Sequence, residues 1–270
     1  MKKYINRIEI LFTSIIITCI LLSCSTVPLT GRKQVNLLPE SEMLAMSFSQ
    51  YNQFLKENKI STNQKQSELI KHVGGRIATA VEKYMNEKGL ASQIKDYAWD
   101  FNLVEDKTPN AWCMPGGKVV FYTGILPYTK DEDGLAVVMG HEIAHAIARH
   151  GNERLSHQLG VQLGGLALSA AIDEKPEETQ MLYMAAFGLG SQVGFMLPYS
   201  RLHETEADKM GLVFMAMAGY NPRAAVPFWE RMAASGGQKP PEFLSTHPAD
   251  QTRIQNLKTY MPEALKYYNQ

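Results

Sequence analysis

Residues 141–150 read His-Glu-Ile-Ala-His-Ala-Ile-Ala-Arg-His. On a helix, His141 and His145 lie one turn apart on one face. Two imidazoles so placed can grip one zinc ion, and Glu142 can reach a water on that ion and take its proton. This is the H-E-x-x-H spacing associated with zinc-assisted peptide hydrolysis. The bland alternative is a surface helix with two stray histidines. The surroundings speak against it. Asp131 or Asp133 supplies a helix start, Leu135, Val138, Met139, Ile143, Ala146 and Ile147 form an apolar stripe, and Gly151 supplies a stop. An apolar helix that carries two histidines and an acid needs a reason to bury them, and a metal is the simplest one.

A catalytic zinc takes three protein ligands and leaves a fourth position to water. One known solution places a glycine three residues and a histidine six residues after His145; here those positions hold Ala148 and Gly151. His150 falls on another helical face and reads as a helix-end cation. His157 and His203 have no partner pattern and read as solvent-facing. The strongest downstream candidate is Ser200-Arg201-Leu202-His203-Glu204-Thr205-Glu206-Ala207-Asp208. Glu204 and Asp208 share a helical face, while Glu206 points elsewhere. A ligating carboxylate with a second acid one turn later makes physical sense, because Asp208 can accept the free ring N–H of a ligating histidine. The plain alternative is a solvated acidic face.

Residues 1–23 read as a targeting segment. Lys2, Lys3 and Arg7 precede a mostly apolar stretch from Ile10 to Leu22, which ends in Ser23-Cys24. That ending resembles a bacterial lipobox, with lipid carried on Cys24; an uncleaved signal anchor is the rival. The chain has 27 basic and 27 acidic residues, and removing residues 1–23 leaves a net charge of about −2. Nothing in this balance suggests a nucleic-acid partner. Of the three cysteines, Cys19 would leave with the signal and Cys24 would be lipidated, so Cys113 has no partner for a disulfide. The expected organisation is a signal over residues 1–23, a tether over 24–40 and one catalytic domain over 41–270, with no repeat module.

The periodicity predicts helices from Ser41 to about Asn58 and from about Thr62 to Lys88, the second ended by Gly89. Three strands follow, at Trp99–Val104, Asn110–Met114 and Lys118–Thr123, with Pro115-Gly116-Gly117 as a turn. A small sheet just before the histidine helix can offer an edge to an extended peptide. Lys118–Thr123 is the expected edge, with a core hairpin as the alternative. Residues 152–198 turn apolar and rich in Gly and Met, broken at Asp173–Glu178. The two apolar pieces look short and interrupted for spanning helices. They read as a helical hairpin beside or over the site. A mobile lid or an element leaning on a membrane fits this composition, and so does a plain buried hairpin.

The H-E-I-A-H run, the S-R-L-H-E-T-E-A-D run and Thr246-His247-Pro248 together resemble the HtpX-like and BepA-like zinc metallopeptidases, relatives of the CAAX prenyl endopeptidases and of a mitochondrial inner-membrane protease of the same fold. Asn110–Gly124 looks like that family's substrate-side hairpin, and Leu29-Thr30-Gly31-Arg32 resembles the start of its secreted lipoprotein branch. The resemblance spans about residues 28–260. It implies a mainly α domain with a small β-sheet (α+β, gluzincin-type), and one Zn2+ per chain held by His141, His145 and Glu204. Glu142 would be the base and Asp208 the supporting acid. Asn110, Val119, Val120 and Phe121 would meet the substrate. The resemblance also points to His247 and Arg253, near the metal. His247 would either assist the oxyanion or latch the fourth metal position; the alternative is a plain helix cap.

The activity so implied is endopeptidase cleavage of unfolded or misassembled envelope proteins. The location so implied is a bacterial envelope, lipid-anchored, at the outer membrane and facing the periplasm. A chaperone-like lipoprotein with a latched, rarely active zinc site is the main rival. A non-catalytic metal-stabilised scaffold is the other, and the intact Glu142 argues against it.

Overall fold

Asp131 starts the histidine-bearing helix. Its carboxylate accepts a hydrogen bond from the Gly134 N–H at 2.8 Å, satisfying one of the amides that a helix start leaves free. The structure is a computed structural model and describes residues 24–235, 242–248 and 251–268. The targeting segment read in residues 1–23 lies outside the described residues, as does the loop at 236–241. Cys24 enters only as the first residue of a strand.

In chain order the elements are β1 (Cys24–Thr26), β2 (Lys33–Val35), α1 (Glu40–Glu57), α2 (Gln64–Glu87), β3 (Asp100–Val104), β4 (Ala111–Met114), β5 (Lys118–Tyr122) and the short α3 (Leu126–Thr129). Then come α4 (Glu132–Ile147), α5 (His150–Ile172), α6 (Glu177–Ser191), α7 (Leu197–Met217), α8 (Ala225–Ser235), α9 (Glu242–Thr246) and α10 (Gln251–Tyr268). This is the expected mainly helical fold with small sheets. The helix expected from Ser41 starts one residue earlier, with Pro39 rather than a side chain at its cap.

One apolar core joins Val73 and Ile77 of α2, Phe121 of β5, Val138 of α4, Phe214 of α7 and Trp229 of α8. The metal-motif helix α4 therefore runs through the middle of the molecule, with apolar neighbours on nearly every side. It crosses α7 at Gly140 and Gly211.

The three-stranded sheet has the order β3-β5-β4, with β5 parallel to β3 and antiparallel to β4. The expected edge at Lys118–Thr123 is thus the centre of the sheet, and Val119, Val120 and Phe121 are fully buried. Their unbroken apolar run is the signature of a strand covered on both faces. The edge on the site's side is β4. The Tyr122 N–H donates to the Asn110 carbonyl at 3.0 Å, so alternate residues 110, 112 and 114 face β5. The peptide groups of Ala111 and Cys113 point outward instead.

Two further expectations are corrected. The first is the stop at Gly151. α4 ends at Ile147, and Arg149 takes a left-handed conformation (φ 57°) that re-aims the chain, leaving Gly151 in the first turn of α5. The second concerns the hairpin, whose break at Asp173–Glu178 is present but whose plain buried alternative is not. α6 passes through one π-helical turn at Gln192–Met196 into α7, so Glu177–Met217 is a continuous helix of 41 residues. In this turn the Leu197 N–H donates to the Gln192 carbonyl, one residue before Pro198, which has no N–H to give. Along this hairpin Leu163, Leu166, Met181, Leu182 and Leu189 stand exposed.

Candidate metal centre

Because α4 and α7 touch through glycine, their polar side chains meet. The Nε2 atoms of His141 and His145 lie 3.1 Å apart. Glu204 places one oxygen 3.3 Å from His141 Nε2 and the other 3.2 Å from His145 Nε2. His247, just after α9, brings its Nδ1 to 3.1 Å from His141 Nε2 and 2.9 Å from Glu204 Oε2. Donor atoms at the corners of a tetrahedron around zinc, with bonds of about 2.0–2.1 Å, are separated by about 3.3 Å. The separations quoted lie close to that figure, all four residues place a donor atom within 4.8 Å of the others, and the donor set suits zinc.

The outer partners explain how the ligands are aimed. His141 Nδ1 sits 3.0 Å from Asp208 Oδ1, which leaves the Nε2 lone pair for a metal. Asp208 accepts from Arg253 Nε at 2.8 Å and Nη2 at 2.7 Å, while Arg253 Nη1 reaches Glu204 at 3.2 Å. Burial pushes the Asp208 carboxyl up, but Arg253 and His141 overcome it and hold it below the usual range. Arg253 also lies over the Trp229 ring, 3.4 Å from its centroid, and lines a recess with Glu204 and Asp208 rather than the cleft that opens at Glu142. It braces the two carboxylates beside the metal position.

His145 has a longer chain of support. Its Nδ1 lies 2.8 Å from His150 Nδ1, and His150 Nε2 lies 3.0 Å from Glu206 Oε2. Glu206 accepts in turn from Arg32 Nε at 2.9 Å and from the Thr30 hydroxyl. The other nitrogens of Arg32 form a fork on Glu153 at 2.8 and 2.7 Å, and Glu153 faces His203 Nε2 at 2.8 Å. The rings of His150 and His203 stack at 4.2 Å. His150 is therefore a buried partner of His145 rather than a helix-end cation, His203 is buried rather than solvent-facing, and Glu206 belongs to the site's support. The left-handed Arg149 is the reason: a straight helix through residue 150 would send His150 elsewhere.

The proton positions follow. A metal on His145 Nε2 leaves the proton on Nδ1, donated to His150 Nδ1; His150 then carries its proton on Nε2 and donates it to Glu206. Burial holds His145 and His150 well below the ordinary imidazole range, so both rings are neutral, as this chain requires. In His141 burial and Arg253 act downward, yet Asp208 and Glu204 prevail and raise the ring to about 9 in the metal-free site.

Glu142 points into a cleft of about 300 Å³ lined also by Asn110, Trp112, Cys113, His145 and His247. Its Oε1 is buried without a hydrogen-bond partner, and burial raises its pKa. A carboxylate so placed suits proton transfer. Of the expected substrate residues the cleft keeps Asn110; Val119, Val120 and Phe121 lie in the core behind it. Trp112 and Cys113 take their place. They lie on the first strand of the hairpin, and strand order is invisible in one sequence.

Residues 72–261 match the model of peptidase family M48. The chain is 41% identical over 175 residues to mitochondrial metalloendopeptidase OMA1 of Schizosaccharomyces pombe, covering 64% of this chain and 50% of that protein. It is 32% identical to the human mitochondrial metalloendopeptidase OMA1, covering 88% of this chain and 46% of that protein. The beta-barrel assembly-enhancing protease of Escherichia coli is 28% identical, over 65% of this chain and 38% of that protein. The chain spans about half the length of the OMA1 relatives it matches in Schizosaccharomyces pombe and human. The expected location, lipid-anchored on a bacterial outer membrane and facing the periplasm, is overturned by these comparisons, since the relatives at 41% and 32% identity are mitochondrial. The zinc metalloendopeptidase class read from the motifs agrees with the matched family and with these relatives. With the H-E-x-x-H helix, the glutamate of α7 and the family match over most of its length in accord, the chain belongs to peptidase family M48.

Proposed function

We propose that the protein is a zinc-dependent endopeptidase that hydrolyses unfolded or misassembled proteins, with His141, His145 and Glu204 as metal ligands. The observation that carries this reading is Glu142, a buried carboxylate whose Oε1 makes no hydrogen bond and lies 3.6 Å from His247 Nε2, beside the donors of His141, His145 and Glu204 and facing β4 across one cleft. Zinc, when bound, supplies acidification of a water and polarisation of the scissile carbonyl. Glu142 accepts the water's proton and passes it to the leaving amine. On β4 the Ala111 N–H is held by Asn110 Oδ1 at 2.9 Å, and the outward peptide groups of Cys113 are offered to an extended substrate, which adds as one more strand. Asp208 and His150 fix the ring orientations of His141 and His145, and Arg253 holds Asp208 and Glu204 in place.

The names of the relatives support this reading: metalloendopeptidase for two of them supports the activity, and beta-barrel assembly-enhancing protease for the third supports action on proteins during assembly. The first two favour a mitochondrial setting.

A second reading is favoured by His247. Its Nδ1 occupies a fourth donor position, which suits a latched site that binds clients and seldom cuts them. Purified full-length chain, assayed for bound zinc and for degradation of an unfolded test protein, tests both. The endopeptidase reading expects about one zinc per chain and cleavage that a chelator stops. Cleavage that survives complete metal removal would overturn it. A large gain in turnover on His247→Ala would favour the latched form.

A further inference from the structure

We propose that Arg154 determines specificity: it pairs with a carboxylate of the bound polypeptide, about two to four residues from the bond that is cut. The inference rests on the endopeptidase reading for that bond. It goes beyond it in naming a substrate class, chains with an acidic side chain at that distance.

Arg154 follows His150 by four residues, so it stands on the same face of α5, one turn and about 6 Å farther along the axis. That face touches the metal centre through His150, whose ring centroid lies 4.9 Å from that of His145. Arg154 accordingly lines the cleft together with Glu142 and His145. The helix rise puts it roughly 10 Å from the metal position, and an extended chain advances about 3.3 Å per residue.

The guanidinium has no counterion. Among the described residues its side chain makes no hydrogen bond and no ion pair. The residues at helical spacing from it, His150, Gly151, His157 and Gln158, include no acid. Glu153, its neighbour in sequence, is held by the fork of Arg32 and faces His203. The other arginine of the cleft, Arg149, is matched by Glu40 at 3.2 Å. Among the described residues that line the cleft only Glu142 is acidic, and it faces His247 at 3.6 Å.

Arg154 also lines a second chamber, of about 240 Å³, between α5 and α7. His157, Gln158, Gln192, Tyr199 and Ser200 supply polar groups there, and no Asp or Glu lines it among the described residues. Hydrogen-bond donors without a carboxylate suit an anion. One arginine thus serves cleft and chamber. An acidic side chain of a polypeptide lying along β4 meets it from the cleft, with room beside it for the carboxylate. An exposed ion pair changes affinity a few-fold, and a forked guanidinium–carboxylate pair covered by a bound chain about tenfold.

The test uses the full chain in non-ionic detergent, loaded with zinc, as Glu142→Gln for binding and as wild type for cleavage. Fluorescein-labelled peptides carry one Glu stepped along an otherwise uncharged extended sequence, each with a Gln counterpart. At one position the Glu peptide is expected to bind about tenfold more tightly than its Gln counterpart by anisotropy, less so as salt is raised. Adding Arg154→Gln should abolish that preference, and Arg154→Glu should turn it towards Lys, with the melting temperature unchanged because Arg154 is exposed. Equal binding of Glu and Gln peptides at every position would overturn the proposal. A preference that survives Arg154→Gln would do the same. So would Arg154-dependent binding of phosphatidylglycerol vesicles or inorganic phosphate without any Glu preference, the mark of a headgroup or free-anion site. Cleavage judges the endopeptidase reading separately. An Arg154-dependent Glu preference without cleavage would keep the carboxylate site and remove that reading; cleavage without the preference would do the reverse.

Discussion

Gly140 and Gly211 meet backbone to backbone. A Cβ on Gly140 would lie 2.8 Å from the Gly211 carbonyl oxygen, and one on Gly211 would lie 2.9 Å from the His141 nitrogen. This approach lets α4 and α7 bring His141 within bonding distance of Glu204 and Asp208. Gly211→Ala is expected to lower stability by about 1–3 kcal/mol in urea unfolding and to weaken zinc binding. Gly75→Ala, in open space on α2, should instead be neutral or stabilising by up to about 1 kcal/mol. Equal effects of the two substitutions would show that the crossing does not need glycine.

Glu142 lines the cleft but is not among the grouped donors, whereas Glu204 is one of them. Glu142→Gln should therefore keep full zinc and lose cleavage by at least about 100-fold. Glu204→Ala should lose both. Elemental analysis beside a cleavage assay separates the two, and full zinc occupancy in Glu204→Ala would move the third ligand elsewhere.

His145 depends on His150, Glu206 and Arg32 for its ring orientation. Glu206→Gln removes the charge at the end of that chain with little change of shape. Zinc affinity is expected to fall about 10–100-fold, the usual effect of losing such a partner. The visible spectrum of the cobalt-substituted protein should shift as well. An unchanged spectrum with a lowered melting temperature would reduce the chain to a packing role.

Glu153 gives a pH dependence. Burial acts upward, but Arg32 and His203 bring its carboxyl down to about 2 from an ordinary 4.5. The folded state thus favours the anion. The stability it contributes is complete above the ordinary value and is lost as pH falls from about 4.5 towards 2. Glu153→Gln should lower the urea midpoint of metal-free protein at pH 7 and flatten its decline over that window. A decline identical to wild type would assign the acid sensitivity to other carboxylates.

Much of the site was legible without coordinates. His141, Glu142 and His145 are local on one helix, so spacing alone shows their shared purpose. Glu204 and Asp208 repeat that logic on a second helix. Legibility ended where the chain turned. His150 was misjudged because a single left-handed residue, Arg149, carries no signal in its side chain; His203 and Glu206 were missed because their partners, Glu153 and Arg32, are remote in sequence. The order of three strands was beyond reach too, since β4 and β5 pair identically whichever of them stands at the edge.

The sequence by itself determined the chemistry, because metal ligands four residues apart and uncharged helical runs are properties of local periodicity. Only the tertiary structure decided which strand is open, what supports each imidazole and which apolar surface stays bare. Those depend on contacts between residues as far apart as Arg32 and Glu206, and on how closely two glycine-bearing helices can approach.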